Sequence, residues 1–189
     1  MNMSLPLSLN DTSSISYVLA REFEVLSKKH RAGWLLRGVP VGKCETVWEH
    51  SRDVGLLGAE YAQRYHPQLN PFLVFAMGVI HDIGETRIPD YTPHDGVSRE
   101  EKFRQEHTAV QDIFSGVEKG QEYINLWLEF EERKTATARY VKEWDQLQMV
   151  MQASRYRAAG FNGMEEFYES ARPKIVSAEL VELFDRLVK

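Results

Sequence analysis

An all-α domain is what this sequence predicts, on three observations. Apolar residues recur at steps of three and four along most of the chain. Helix-start and helix-stop residues separate those stretches, and nowhere does period-two alternation combine with turn residues into a set of strands. With 189 residues, 43% of them hydrophobic, the chain can build a real core, and the expectation is a single helical bundle of six to eight helices over residues 14–189 behind a flexible tail at 1–13.

The tail is polar and irregular, with Pro6 and an Asn10-Asp11-Thr12-Ser13-Ser14 cluster that runs into a helix N-cap. Ile15, Val18, Leu19, Phe23 and Leu26 line the first helix, which ends in the basic run Lys28-Lys29-His30-Arg31. A glycine-punctuated loop from Gly33 to Gly42 follows. The second helix carries Val47, His50, Val54, Leu57 and Tyr61 at helical steps, which sets His50 on its buried stripe. Asn70-Pro71 offers a cap and a first-turn proline for Phe72 to Ile83, a segment apolar on every side that reads as a helix buried all round, closed by Gly84. Pro89, Pro93 and Gly96 make a loop of Thr86 to Val97. Ser98-Arg99-Glu100-Glu101 is a capping box opening a helix with Phe103, Ala109, Val110, Ile113 and Phe114 inside. Beyond Gly116 and Gly120 come a helix with Tyr123, Ile124, Trp127, Leu128 and Phe130, and then a long one from Thr135 to about Ala159. Two short helices, Met164 to Ala171 and Ser177 to Val188, are split by Pro173.

Composition narrows the function. A lone cysteine, Cys44, excludes an internal disulfide framework and a Cys-cluster zinc site, and it fits a cytoplasmic protein. A net charge of -5 lacks the basic excess that binding a nucleic-acid polymer demands. The longest apolar run, Phe72 to Ile80, is far short of a membrane span, and Met1 to Asn10 lacks the basic start of a signal peptide, so no membrane partner is expected.

His81-Asp82 ends the most apolar helix, where an imidazole beside a carboxylate is costly to bury unless something satisfies both. His50 stands on an apolar stripe 31 residues earlier. Asp145 shares a stripe with Ala138, Val141 and Met149, where the pattern calls for an apolar side chain. Two imidazoles and two carboxylates from three helices form a mixed nitrogen and oxygen set that suits an open divalent site, Mn²⁺, Co²⁺, Fe²⁺, Ni²⁺ or Mg²⁺, better than a closed structural zinc. Taken alone, the His-Asp pair reads as a hydrogen-bonded core histidine with a helix-terminal carboxylate, and it is His50 and Asp145 that turn the reading toward a metal site. Of the remaining histidines, His30, His66 and His107 read as surface groups, and His94 as a solvated loop residue or an additional ligand.

The set His50, His81-Asp82 and Asp145 resembles the signature of the HD-domain metal-dependent phosphohydrolases, an all-α superfamily. Glu49-His50-Ser51, His81-Asp82-Ile83-Gly84-Glu85 with Asp90 five residues on, Val141-Lys142-Glu143-Trp144-Asp145, Arg31-Ala32-Gly33-Trp34 and Glu100-Glu101-Lys102-Phe103-Arg104 are similar to the subgroup that holds the bacterial 5′-deoxynucleotidases and the HD-domain-containing protein 2 relatives. The likeness spans roughly Ser14 to Arg157, with the motifs between about 31 and 157.

The resemblance implies a metal-dependent phosphomonoesterase acting on nucleotides, best matched to a 5′-deoxynucleotidase, and commonly a homodimer, to whose interface Trp127 contributes if it is not core. His50, His81, Asp82 and Asp145 would hold the divalent ion, while Glu85 would orient or deprotonate the attacking water. Asp90 would partner Glu85 or protonate the departing ribose oxygen. Arg31, Lys102 and Lys142 would bind phosphate, with Arg104 a further candidate and a solvated helix face the alternative for Lys102 and Arg104. Trp34 would either pack against the sugar, crowding a 2′-hydroxyl, or anchor its loop on the core. Rival readings are a phosphohydrolase of di- or triphosphates or of a nucleotide analogue, a non-catalytic nucleotide-binding HD module, and a helical interaction protein.

Overall fold

A computed structural model describes residues 13–189, so the expected tail, apart from Ser13, lies outside the described residues. Among the described residues there are nine α-helices and no strand: α1 Ile15–Leu26, α2 Ala32–Leu36, α3 Val47–Tyr65, α4 Pro71–Ile80, α5 Arg99–Phe114, α6 Gly120–Glu132, α7 Ala136–Ala158, α8 Glu165–Ala171 and α9 Ala178–Leu187. The helix beyond the expected eight is α2, a five-residue turn inside the Gly33 to Gly42 loop, too short to show a period. No described helix is long and apolar enough to cross a membrane.

The caps fall where polar side chains satisfy the first free N–H groups: Ser14 for α1, Thr46 with Glu49 as a full capping box for α3, Asn70 for α4, Ser98 for α5 and Thr135 for α7. The Ser98 hydroxyl accepts from the Glu101 N–H at 3.1 Å.

Helices α3 and α4 form a hairpin whose backbones touch. A Cβ on Gly78 would lie 2.6 Å from the Gly55 Cα, and one on Gly55 would lie 2.9 Å from the Phe75 carbonyl oxygen, so only glycine allows this approach. The hairpin brings His50, near the start of α3, against His81, just past the end of α4, with ring centroids 5.3 Å apart. Helix α7 packs across the same pair, its Trp144 indole within reach of Gly58.

Two apolar clusters flank α4. Val74 and Met77 join α3 and α7 through α9 on one side, and Val79, Ile80 and Ile83 join α1, α5 and α6 on the other. The expectation that Phe72 to Ile83 is buried all round is corrected. Phe72 is 82% exposed and Phe75 faces solvent in part, because an apolar side chain does not have to be buried when the rest of its helix is. The most enclosed helix is α7, where six consecutive residues from Glu143 to Gln148 are buried. Trp127 sits in the core, where its indole N–H donates to the His81 carbonyl at 3.0 Å.

A candidate metal centre in a cleft of mixed charge

Helix α4 ends at Ile80, and the chain tightens into a 3-10 turn over Ile83–Thr86. That turn, rather than a continued α-helix, folds Glu85 back beside Asp82 and buries it. Three contacts pin the turn: Lys29 donates from its ammonium to the carbonyls of Glu85 and Ile88, Arg87 grips the buried Glu22 of α1 at 2.6 and 2.7 Å, and Gly84 lies against the backbone of Glu106 on α5.

His50, His81 and Asp82 offer ligand atoms that all lie within 4.8 Å of one another. His81 Nε2 is 3.1 Å from Asp82 Oδ2, and His50 Nε2 is 3.8 Å from the same oxygen and 3.2 Å from Asp145 Oδ1. His81 Nδ1 lies 2.7 Å from the Gly78 carbonyl, which can only accept, so the ring proton belongs on Nδ1 and the bare Nε2 faces Asp82. That Nε2 is buried without a hydrogen-bond partner. The His81 lone pair thus turns toward the Asp82 carboxylate, with His50 Nε2 and Asp145 beside it, an arrangement that repels unless a proton or a metal cation stands between them. The donor set therefore fits a divalent metal ion.

Neighbouring charges reinforce the site. Burial works to raise the Asp82 pKa, but a proton that His81 Nε2 takes up when no metal is bound, together with Arg31, outweighs it and holds the group well below the usual carboxylate range. Asp145 is lowered as well, against its burial, chiefly by the Lys142 ammonium at 2.7 Å. Glu85 goes the opposite way. Burial first, then the charges of Asp82 and Asp90, push it well above the ordinary value, and its Oε2 has no hydrogen-bond partner. Arg31 lies 3.4 Å from Asp82 and 4.0 Å from Asp90, while Asp90 also accepts the Ala32 N–H at 2.7 Å. Asp90 is thereby engaged as an acceptor at the start of α2.

These groups open into a cleft of about 520 Å³, a volume suited to a small-molecule ligand. Arg31, Asp82, Glu85, Asp90, Lys102, Lys142 and Asp145 line it, together with Gly33, Met149, Phe167, Ser170 and Lys174. Lys102 is paired with Glu106 at 3.5 Å and Lys142 with Asp145, whereas Lys174 donates to the neutral Gln146 Oε1 at 2.9 Å.

The family model for the HD domain matches residues 23–184. The chain belongs to the HD-domain family. A 5′-deoxynucleotidase HDDC2 of Dictyostelium discoideum is 30% identical over 156 residues, covering 76% of this chain and 81% of that protein. A 5′-deoxynucleotidase hdd1 of Schizosaccharomyces pombe is 32% identical over 142 residues, covering 72% of this chain and 69% of that protein. Among solved structures, a predicted metal-dependent phosphohydrolase from Magnetospirillum magnetotacticum superposes with a TM-score of 0.71 at 25% identity, covering 92% of this chain and 91% of that one. A conserved hypothetical protein from Pyrococcus furiosus gives 0.74 at 25% identity, over 90% and 97% of the two chains.

Within this HD domain the motif residues converge, and the alternatives left open for Trp34 and Arg104 resolve to a core anchor and a solvated helix face. Trp34 is 1% exposed, and its ring packs against Phe167 at 4.4 Å and Tyr156 at 5.2 Å, so it supports the cleft wall from behind and does not face a sugar. Its breadth of apolar surface finds more partners in the core than at the rim. Arg104 is exposed and bound to Glu101, outside the cleft. His30, His66 and His107 are half-buried: His30 bonds the Cys44 carbonyl, His66 bonds Glu179 at 2.6 Å, and His107 stacks on Trp127. His94 is exposed on the cleft rim, apart from the His50, His81 and Asp82 cluster. Four participants had no signal in the motifs. Lys174 comes from the region after Gly160, Lys29 acts through backbone carbonyls, and Glu45 and Gln148 are buried polar residues linked to His50. Gln148 alone was readable in principle, as a polar side chain one helical turn beyond Asp145.

Proposed function

We propose that this protein is a metal-dependent 5′-deoxynucleotidase, hydrolysing deoxyribonucleoside monophosphates to deoxynucleoside and inorganic phosphate. The observation that carries the reading is the convergence of the donor atoms of His50, His81, Asp82 and Asp145 at one end of a cleft that also carries Arg and Lys side chains. The relatives named as 5′-deoxynucleotidases support the substrate class.

Two imidazoles in the ligand set favour Mn²⁺, Fe²⁺, Co²⁺ or Ni²⁺ over Mg²⁺, which prefers oxygen donors. Bound there, the ion supplies Lewis acidity toward the phosphoryl group and activates water. Arg31 and Lys102 on one wall and Lys142 and Lys174 on the other hold the phosphate, with Asp90 and the Ala32 N–H fixing the position of Arg31. Glu85, buried beside Asp82 with an unpartnered Oε2, is placed to act as the base in its deprotonated form. It takes the proton of the attacking water as the oxygen–phosphorus bond forms, and returns it to the ribose oxygen as the phosphorus–O5′ bond breaks.

The test is phosphate release from deoxyribonucleoside mono-, di- and triphosphates and from ribonucleotides with each added divalent ion, alongside metal content of wild type and His81→Ala. Activity on monophosphates, lost together with metal in His81→Ala, is the expected result. A wild type that takes up metal and releases phosphate from no nucleotide would make the protein a binding module instead.

A further inference from the structure

Behind His50, on the side away from the cleft, a line of polar groups crosses the core. The Trp34 indole N–H donates to Glu45 Oε2 at 3.0 Å, the Gln148 amide nitrogen donates to Glu45 Oε1 at 2.6 Å, and Gln148 Oε1 lies 2.5 Å from His50 Nδ1. All four side chains are buried. The direction of this line is dictated by chemistry. An indole nitrogen only donates and a carboxylate only accepts, so Glu45 must receive the NH₂ of Gln148, and the amide oxygen is left for His50. That oxygen accepts, so the imidazole proton sits on Nδ1 and Nε2 presents its lone pair to Asp82 and Asp145.

We infer that Glu45 and Gln148, oriented by the Trp34 N–H, are positioning residues that set the tautomer and ring orientation of His50 and so help set the affinity of the site for a divalent cation. The contrast with His81 is instructive, since a backbone carbonyl fixes its tautomer and no substitution can remove that group. For His50 the same task is given to side chains, and the outermost of them stands on α2, whose Gly33 and Leu36 line the cleft. The metal centre and the cleft wall are therefore joined through the core. This inference rests on the reading of His50 as a ligand.

Glu45→Gln tests it with a change of one atom. A glutamine at 45 must turn its oxygen to the Trp34 N–H, which leaves its NH₂ facing Gln148 and reverses that amide in turn. The reversed amide donates to His50 Nδ1 and moves the ring proton to Nε2, where it blocks ligation. Long-range ¹H–¹⁵N spectra of the metal-free protein at mildly alkaline pH should report the Nδ1–H tautomer of His50 in wild type and the Nε2–H tautomer in Glu45→Gln. Calorimetric affinity for Mn²⁺ or Co²⁺ should fall by about 10–100-fold, the usual scale for a lost outer-shell partner. Adding Trp34→Phe to Glu45→Gln frees the amides to turn again and should restore part of the affinity. Gln148→Met, which breaks the line without reversing it, carries the affinity test if Glu45→Gln does not fold. Folded variants that keep the wild-type tautomer and affinity would overturn the inference, whereas a wild type that binds neither cation would overturn the metal-site reading beneath it.

Discussion

Replacing Gly78 by alanine tests whether the glycine contact between α3 and α4 is what brings the two histidines together. The added Cβ would stand 2.6 Å from the Gly55 Cα and 2.7 Å from the Gly55 nitrogen, both backbone atoms that cannot swing aside. Carbon atoms in contact prefer about 3.5–4.0 Å, so the helices must part by about 1 Å. Overpacking of this kind costs about 1–3 kcal/mol, and alanine's better helix propensity returns roughly 0.5–1 kcal/mol, for a net loss of up to about 2.5 kcal/mol. At this chain length that loss lowers Tm by a few degrees. Function should suffer more than stability does. His81 follows Gly78 by three residues and bonds its carbonyl, whereas ligand distances tolerate shifts of only about 0.2 Å. Affinity for Mn²⁺ or Co²⁺ should therefore fall about 10-fold or more, with phosphate release following it. Gly42→Ala is the control, since a Cβ there meets nothing within 4 Å. Calorimetry and thermal melts decide the matter: a Gly78→Ala protein that melts with wild type and binds metal as tightly refutes the argument.

Other substitutions probe separate parts of the site. Glu85→Gln should keep its metal and lose about 10²-fold or more in turnover, and wild-type turnover would exclude it as the base. Lys174→Ala should raise KM about 10-fold with kcat and metal content little changed, and an unaltered KM would remove Lys174 from phosphate binding. Glu106 is pushed up to about 7 from 4.5, chiefly by burial and despite Lys102. Between those values the native state keeps a proton that the unfolded state has released, so this group's contribution to stability falls as pH rises through that window. Glu106→Gln should accordingly gain about 1–3 kcal/mol on wild type between about pH 5 and pH 8, and an equal difference at both ends would contradict the assignment.

Residues whose role depends on period or on a short spacing were legible in the sequence. His50 and Asp145 broke apolar stripes and His81-Asp82 closed an apolar run, so polar residues in apolar places drew attention to these four positions, and the resemblance to the HD-domain family joined them into one candidate donor set. What escaped had a role set by distant parts of the chain. Glu45 sits in a loop where a carboxylate is unremarkable, until Trp34 and Gln148 are seen to close on it. Lys174 lies more than 25 residues beyond the last motif residue, in a segment that Glu143 on α7 ties down by accepting the N–H groups of Val176 and Ser177. The five residues of α2 carry too little period to be recognised, and Phe72 shows that local hydrophobicity reports helix formation without reporting which face is covered.

The enclosure of α7 bears on how such a protein can change over generations. Between Glu143 and Gln148 each residue is already committed: Glu143 holds the start of α9, Trp144 packs on Gly58, Asp145 faces His50, Gln146 meets Lys174, Leu147 fills the core and Gln148 meets His50. A mutation in this stretch strikes folding and chemistry at once, and selection should leave it little latitude. Phe167 and Ser170 on α8, and the loop carrying Tyr91 and His94, border the same cleft from elements that hold none of the four donor residues. New substrate preferences can accumulate there one substitution at a time, while the reaction itself is inherited intact.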